Sequence, residues 1–267
     1  MKRLSAIRPV YFLGILLALI FSSYGCASDS NNIVIGTWNI RGYPEKVQDQ
    51  RQWLHQELIK MNADVLCIQE IANKNDINYF LAAEDRFKKA AFLDSDDGQD
   101  NAIFCTSSIE MKDIPDPEGF QHPAQAAYVS CGGFDAVIIT VHLSWTNTEI
   151  REKEKSLLGN IVQKSLKIDP DVIILGDFNT EDKDINELAQ SIGMIVMATP
   201  GQDEVGTTHA GHRYDHILIS PDLANEEAIG CHIITFTGAD LEMAKKVSDH
   251  LPVVAEFKTD SKFKDRK

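Results

Sequence analysis

Long apolar runs are scarce in this chain. The one extended run, Val10 to Phe21, spans 12 residues, short of the roughly 20 that a free membrane-crossing helix needs. Positive charge is scarce too. The 26 Lys and Arg stand against 40 Asp and Glu, which excludes a global attraction for polyanions and leaves only a local basic patch for that purpose. There are 5 cysteines and no CxxC or Cys/His spacing, so nothing suggests a structural zinc. Neither GxGxxG nor GxxxxGK(S/T) occurs, which removes the two common glycine-rich phosphate cradles. No serine or cysteine stands in a convincing nucleophile setting, and the chain has no repeat and no low-complexity segment.

Lys2, Arg3 and Arg8 precede the apolar run, and the small residues Ser22, Ser23 and Gly25 follow it. This is the order of a secretory signal, so residues 1–25 are expected to direct export. Cys26, directly after Ser23, Tyr24 and Gly25, resembles the lipid-modified cysteine of a bacterial lipoprotein. Its acyl chains would tether the protein to the cell envelope or outer membrane. The alternative is ordinary cleavage near Ala27 and a periplasmic or secreted protein. Removing Lys2, Arg3 and Arg8 moves the formal charge from −14 to −17. Cys67, Cys105, Cys131 and Cys231 remain in the exported part, where oxidation is permitted. Cys105 and Cys131 lie in consecutive strand-like runs and are open to pairing, among three connectivities for four thiols.

What is present is a chain of short strands. With 43% hydrophobic residues there is material for a sizeable core. Residues 26–32 read as a linker, 33–257 as one domain and 258–267 as a charged tail. Strands are expected at 33–39, 63–70, 90–93, 102–106, 126–131, 136–142, 172–175, 213–220, 231–236 and 251–257, and helices at 45–61, 76–83, 149–168 and 185–192. Leu157, Leu158, Ile161, Val162 and Leu166 would form the buried face of the third helix. Many strands with few helices argue for an α/β (α+β) fold of mixed or antiparallel sheets covered by helices.

Several strands end in polar groups of related type. DVIILGDFN, from Asp171 to Asn179, is a buried apolar run followed by Gly176, which would let the chain turn sharply and hold Asp177 and Asn179 at the sheet mouth. Asn39 follows Trp38, Glu70 follows Gln69, and His142 ends VIITVH. Asp215 lies in RYDHI, while Ser248, Asp249 and His250 precede the last strand. Each singly is an ordinary cap or edge residue. Together, carboxylates with a carboxamide suit a hard cation such as Mg2+, and two histidines beside carboxylates suit proton transfer. The inventory points to water as the nucleophile.

On the ordered set TWNIRG, IQE, VHLSW, GDFN, RYDHI and SDHLP, spread from Thr37 to Pro252, the chain resembles the endonuclease/exonuclease/phosphatase superfamily, the deoxyribonuclease I-like fold. The resemblance implies a four-layer α/β sandwich with two packed sheets flanked by helices. It also implies Mg2+ as cofactor, with Mn2+ or Ca2+ as alternatives. Glu70 would be the principal metal ligand, with Asn39 and Asp249. Asn179 and His142 would hold the scissile phosphate, joined by Arg41, for which a plain surface charge is an equal reading. Asp215 would orient His250, and either Asp177 or His250 would serve as base.

The pattern also departs from the family. Ala72 stands where deoxyribonuclease I carries an arginine that enters the minor groove. No arginine occurs between Arg86 and Arg151, so His122 or Gln125 occupies the region of another nuclease arginine. SDDGQD (95–100) lacks the expected tyrosine, and Asp100 aligns loosely as a partner for His142. The expectation is an exported, monomeric phosphoesterase acting on nucleic acid or another phosphoester. A nuclease leads, with a phosphatase or phospholipase C-like hydrolase as the alternative and a catalytically silent surface-binding lipoprotein as the alternative of another class.

Overall fold

The computed structural model describes residues 31–43, 48–83, 86–95, 98–199 and 205–260. The expected signal, Cys26, most of the linker, the end of the tail and the start of the first expected helix lie outside those residues. In chain order the first half contains β1 (Asn32–Tyr43), α1 (Gln48–Met61), β2 (Val65–Ile71), α2 (Lys74–Ala83), β3 (Phe87–Phe92) and β4 (Asp100–Thr106). Next come β5 (Glu110–Asp113), β6 (Gln125–Cys131), β7 (Phe134–His142), α3 (Thr148–Ser165), β8 (Val172–Asp177), α4 (Asp182–Ile192), β9 (Ile195–Val196) and β10 (Asp215–Ile219). The chain closes with α5 (Pro221–Glu226), β11 (Ala228–Ile233), α6 (Gly238–Val247) and β12 (Val253–Lys258).

The strands form two six-stranded sheets, ordered β11-β12-β1-β2-β4-β3 and β5-β6-β7-β8-β10-β9. Each sheet has one parallel pair among the described strands, β1 with β2 and β7 with β8, bridged by α1 and α3 as crossover helices. The remaining pairs are antiparallel. Side-chain alternation then divides the core. Ile138, Ile173 and Leu175 face the first sheet, whereas Val137, Ile139, Val172 and Ile174 pack beneath α3 and α4. Strands sandwiched in this way are apolar on both faces, and all six residues of β8 are buried. The result is the expected four-layer sandwich.

Three local differences have physical causes. Helix α3 begins one residue early because the Asn147 side chain accepts from Glu149 N and Ile150 N, capping it at Thr148. It ends at Ser165, so Leu166 leaves the buried face and is 38% exposed. Strand β11 is shifted toward the N-terminus of its expected span, since Phe236 packs against Trp38 and Trp53 and not in the sheet. The pair Cys105 and Cys131 does not form: Cys105 is a free buried thiol, as are Cys67 and Cys231.

Candidate active site

The polar strand ends converge because the two parallel pairs point the same way out of the sandwich. In the second sheet His142 stands opposite Asp177 in register, and Val141 stands opposite Gly176. The strand continues straight through Gly176; the expected sharp turn is absent. The glycine is required for a different reason. Its φ is 135°, and a Cβ there would lie 2.1 Å from the Val141 carbonyl oxygen, so only glycine lets the two backbones approach this closely. Beyond it, buried Phe178 anchors the chain, and Asp177 and Asn179 on either side reach the cleft.

In the first sheet the carboxylate is presented by distortion. The β1–β2 and β2–β4 registers shift around Asn39 and Gln69–Glu70, which lifts Glu70 from the ladder as a bulge does. Glu70 has φ +62°, Arg41 +48° and Asn179 +47°. Of the four described non-glycine residues with positive φ, these three line one cleft. Such backbone is costly for residues with a Cβ and persists where the surroundings enforce it, commonly at functional sites.

A hydrogen-bonded network ties the two ends together. Asn39 Nδ2 donates to Glu70 Oε1 at 3.0 Å and to Asp177 Oδ2 at 3.1 Å, while its Oδ1 accepts from Arg41 N at 2.9 Å. Asp177 Oδ1 accepts from Asn179 N at 2.8 Å. Nε2 of His250 lies 3.5 Å, and Nε2 of His142 3.7 Å, from Asp177 Oδ2. His250 Nδ1 lies 2.8 Å from Asp215 Oδ2. Ser248 fastens this segment to β1 by accepting from His250 N and donating to the Asn39 carbonyl. Asn179 Nδ2 donates to the Leu143 carbonyl at 2.9 Å, and Arg41 and Asp249, both exposed, face each other at 3.8 Å across the rim. Every expected site residue within the described part therefore belongs to one constellation.

The two histidines differ in charge preference. Burial depresses the His142 pKa, and the nearby Asp177 and Glu70 offset this only in part, so the ring is held neutral near pH 7. Its buried Nδ1 meets no hydrogen-bond partner, so the single proton is best placed on Nε2, facing Asp177. His250 is also disfavoured as a cation by burial, but Asp215, then Asp177 and Asp249, outweigh that and hold its pKa at about 10. Burial raises the Asp215 carboxyl while His250 opposes the rise. The pair is best described as an imidazolium on a buried carboxylate.

Asp177, Asp215 and His250 bring ligand-type atoms within 4.8 Å of one another. They fit a cation poorly as a trio, because two of them are already hydrogen-bonded to each other and the ring carries positive charge. A hard cation fits the other side of the cleft better. There, half-buried Glu70 uses Oε1 for Asn39 and leaves its second oxygen open, with Asp249 exposed nearby.

Some cleft residues were not among the expected site residues. Trp145, His212 and Tyr214 line a cavity of about 380 Å³ together with the constellation; Trp145 and Tyr214 lie within VHLSW and RYDHI, but nothing local marks either as a site wall. Buried His122 stacks on His142 with centroids 4.7 Å apart. Gln125 instead donates to Asp116. Asp100 accepts from Ser95 and forms no hydrogen bond to His142. Gln69, next to Glu70, donates to Thr37 Oγ1 at 3.0 Å and to Thr140 Oγ1 at 2.9 Å, bridging the two sheets under the site.

Two packed mixed sheets with a cleft of carboxylates, carboxamides and paired imidazoles at their common end define a hydrolytic α/β sandwich. The Endonuclease/Exonuclease/phosphatase family model matches residues 36–250, and the chain belongs to that family of phosphoester hydrolases. Among solved structures, D. rerio TDP2 complexed with single strand DNA product matches at TM-score 0.68 and 19% identity, over 85% of this chain and 98% of that one. The Bacteroides thetaiotaomicron mannosyl-6-phosphatase matches at TM-score 0.65 and 15% identity, over 84% and 99%. The human Nocturnin catalytic domain with bound sulfate anion matches at TM-score 0.64 and 18% identity, over 85% and 94%. At these identities the likeness is one of fold. No curated protein sequence matches the chain.

Proposed function

We propose that the chain is an exported, Mg2+-dependent phosphodiesterase, a nuclease that hydrolyses its substrate with activated water. The observation that carries this reading is the Asp215–His250–Asp177 line, 2.8 Å and 3.5 Å between its members, set beside Asn39, Glu70, His142 and Asn179 in one cleft. Glu70, with Asp249 and the Asn39 carboxamide, would hold the cation, which when bound supplies Lewis-acid polarisation of a phosphoryl oxygen.

The chain's own residues supply the rest. Asp177, which among the described carboxylates lies within 4 Å of both imidazoles, takes the proton of the attacking water as the water oxygen bonds to phosphorus and the P–O bond to the leaving alcohol breaks, the departing oxygen taking a proton from solvent. This choice of base follows from His250, which is already protonated through Asp215 and so serves as a donor to the developing phosphoryl charge. His142 offers Nε2–H, and Asn179 its remaining amide N–H, to the phosphate oxygens. Arg41 at the rim adds positive charge where the substrate enters.

A phosphatase or phospholipase C-like action on small or membrane-bound esters is the second reading, favoured by the acidic surface and the expected Cys26 anchor. A silent binding protein is disfavoured by the complete catalytic set. Hydrolysis of a panel (single-stranded DNA, RNA, sphingomyelin, inositol phosphates, sugar phosphates) with and without EDTA tests the proposal. Absence of EDTA-sensitive hydrolysis of any member would end the enzyme reading, and cleavage of lipid or inositol phosphates but not nucleic acid would end the nuclease reading. Mass spectrometry of the mature N-terminus tests the anchor; an unmodified start at Ala27 or Ser28 rules it out.

A further inference from the structure

The cleft has two aromatic walls that phosphoester hydrolysis alone does not require. Trp145 is 63% exposed, while Trp38 is fully buried and Trp53 is 9% exposed. An indole left in water at the mouth of a polar cleft forgoes the burial that makes tryptophan stabilising. The backbone that carries it is nonetheless held in place. Ser144 N donates to the buried carboxylate of Glu154 at 2.8 Å, and Arg151 Nη1 donates to the Ser144 carbonyl at 2.8 Å and the Trp145 carbonyl at 3.4 Å. The backbone of Trp145, three residues beyond His142, is thus fixed relative to the catalytic groups.

The other wall is His212 stacked on Tyr214, with centroids 4.9 Å apart and rings within 3° of parallel. This wall is also pinned. His212 Nδ1 lies 2.8 Å from Glu181 Oε1, His212 N donates to Thr208 Oγ1 at 2.9 Å, and Tyr214 N donates to Thr207 Oγ1 at 2.9 Å. Both walls line the same cavity of about 380 Å³ as Glu70, Asp177 and His250.

We infer that these walls form a stacking subsite for an unpaired nucleobase flanking the scissile phosphate, so that the substrate is a single-stranded or otherwise unstacked nucleic acid. This deepens the nuclease reading and rests on it. Stacking suits this cleft because the chain carries 40 acidic against 26 basic residues, so phosphates beyond the scissile one gain little electrostatic attraction. A π face attracts any base without regard to charge. In a duplex both faces of each base are already stacked, so an intact double helix cannot offer one to Trp145. Arg41 is the one arginine among the described residues lining the cleft, and it faces Asp249, so little positive charge is left to grip a duplex backbone.

Intrinsic fluorescence reports the subsite without requiring turnover, because Trp145 is the exposed member of the 3 tryptophans. A phosphorothioate thymidine tetranucleotide is titrated against the whole protein, beside an analogue carrying tetrahydrofuran in place of every base. The expected result is saturable quenching by the thymidine ligand, roughly tenfold or more weaker binding of the base-free analogue, and loss of the quench in Trp145→Phe. Binding measured by anisotropy is expected to weaken about tenfold in Trp145→Ala and in Tyr214→Ala. Equal binding of the two ligands, or unchanged affinity in both variants, overturns the subsite. Quenching without metal-dependent cleavage of the corresponding phosphodiester leaves the subsite standing and removes the nuclease reading. Cleavage without quenching does the reverse.

Discussion

The two sheets are built to the same plan and finish in different chemistry. Strand order β11-β12-β1-β2-β4-β3 maps onto β5-β6-β7-β8-β10-β9 position by position, with β1-α1-β2 matching β7-α3-β8 and the last two strands completing the first sheet. Corresponding places even carry corresponding residues. Asp100 opens β4 as Asp215 opens β10, and His122 stands three residues before β6 as His250 does before β12. Yet His250 faces Asp177 across the cleft, whereas His122 is buried behind His142. One half raises its carboxylate by a bulge and a strained Glu70, the other by a glycine that lets Asp177 stay in the ladder. Architecture thus delivers polar groups to one end of the sandwich, while local backbone detail decides which of them reaches substrate.

Substitutions separate the contributions of the two halves. The largest effects should come from the groups that move protons, one contributed by each half. Asp177→Asn and His250→Ala are each expected to lower kcat about 10²–10⁴-fold with the circular dichroism spectrum preserved, while His122→Ala lowers it by less than His250→Ala. Activity within a few-fold of wild type in both of the first two variants would mean the site is misassigned. Gly176→Ala should destabilise the fold by about 3 kcal/mol or more, because the added Cβ meets backbone that cannot move aside. Denaturant unfolding would show it, and a shift below about 1 kcal/mol would contradict the close approach.

Smaller effects probe the seam between the halves. Gln69→Leu leaves the buried Thr37 and Thr140 hydroxyls without their shared partner and should cost about 1–3 kcal/mol. Glu70→Gly is expected to abolish activity yet keep or raise the melting temperature in the absence of metal, since glycine adopts the φ of +62° without strain. A lower melting temperature would show that the Asn39–Glu70 hydrogen bond outweighs the strain. The subtlest test is pH. The folded-state pKa of His250, about 10, exceeds the unfolded value near 6.5. Its contribution is fully present below pH 6.5 and disappears as pH rises through 10. The stability gap between wild type and His250→Gln should therefore narrow over that window, and a constant gap would argue against the imidazolium.

Much of this molecule was legible in its sequence because the relevant signals are local. The buried run before Gly176 marks a doubly covered strand, and VIITVH, IQE and RYDHI mark strands that end in polar groups. The edge strand β5 was not legible, since three of its four residues are exposed and none is buried, which erases the alternation that identifies a strand. Helix α5, of 6 residues, is too short for periodicity to stand out, and α6 buries only Ala244 and Val247, which makes no apolar stripe. The duplicated plan left no trace as a repeat, because the halves share strand order but only isolated residues such as Asp100 and Asp215. Trp145 and Tyr214 lie in VHLSW and RYDHI, but their place as walls, with His212, shows only in the cavity they line.

The kind of chemistry is set by residue types and spacing: hard oxygen ligands, two histidines, and a carboxylate and carboxamide spaced two apart after a glycine. Which of them meet depends on the fold. Asn39 reaches Asp177 across 138 residues of sequence and His250 reaches Asp215 across 35. Such contacts follow from strand register, a bulge and the packing of two sheets, which are properties of many residues acting together and are written in no single motif.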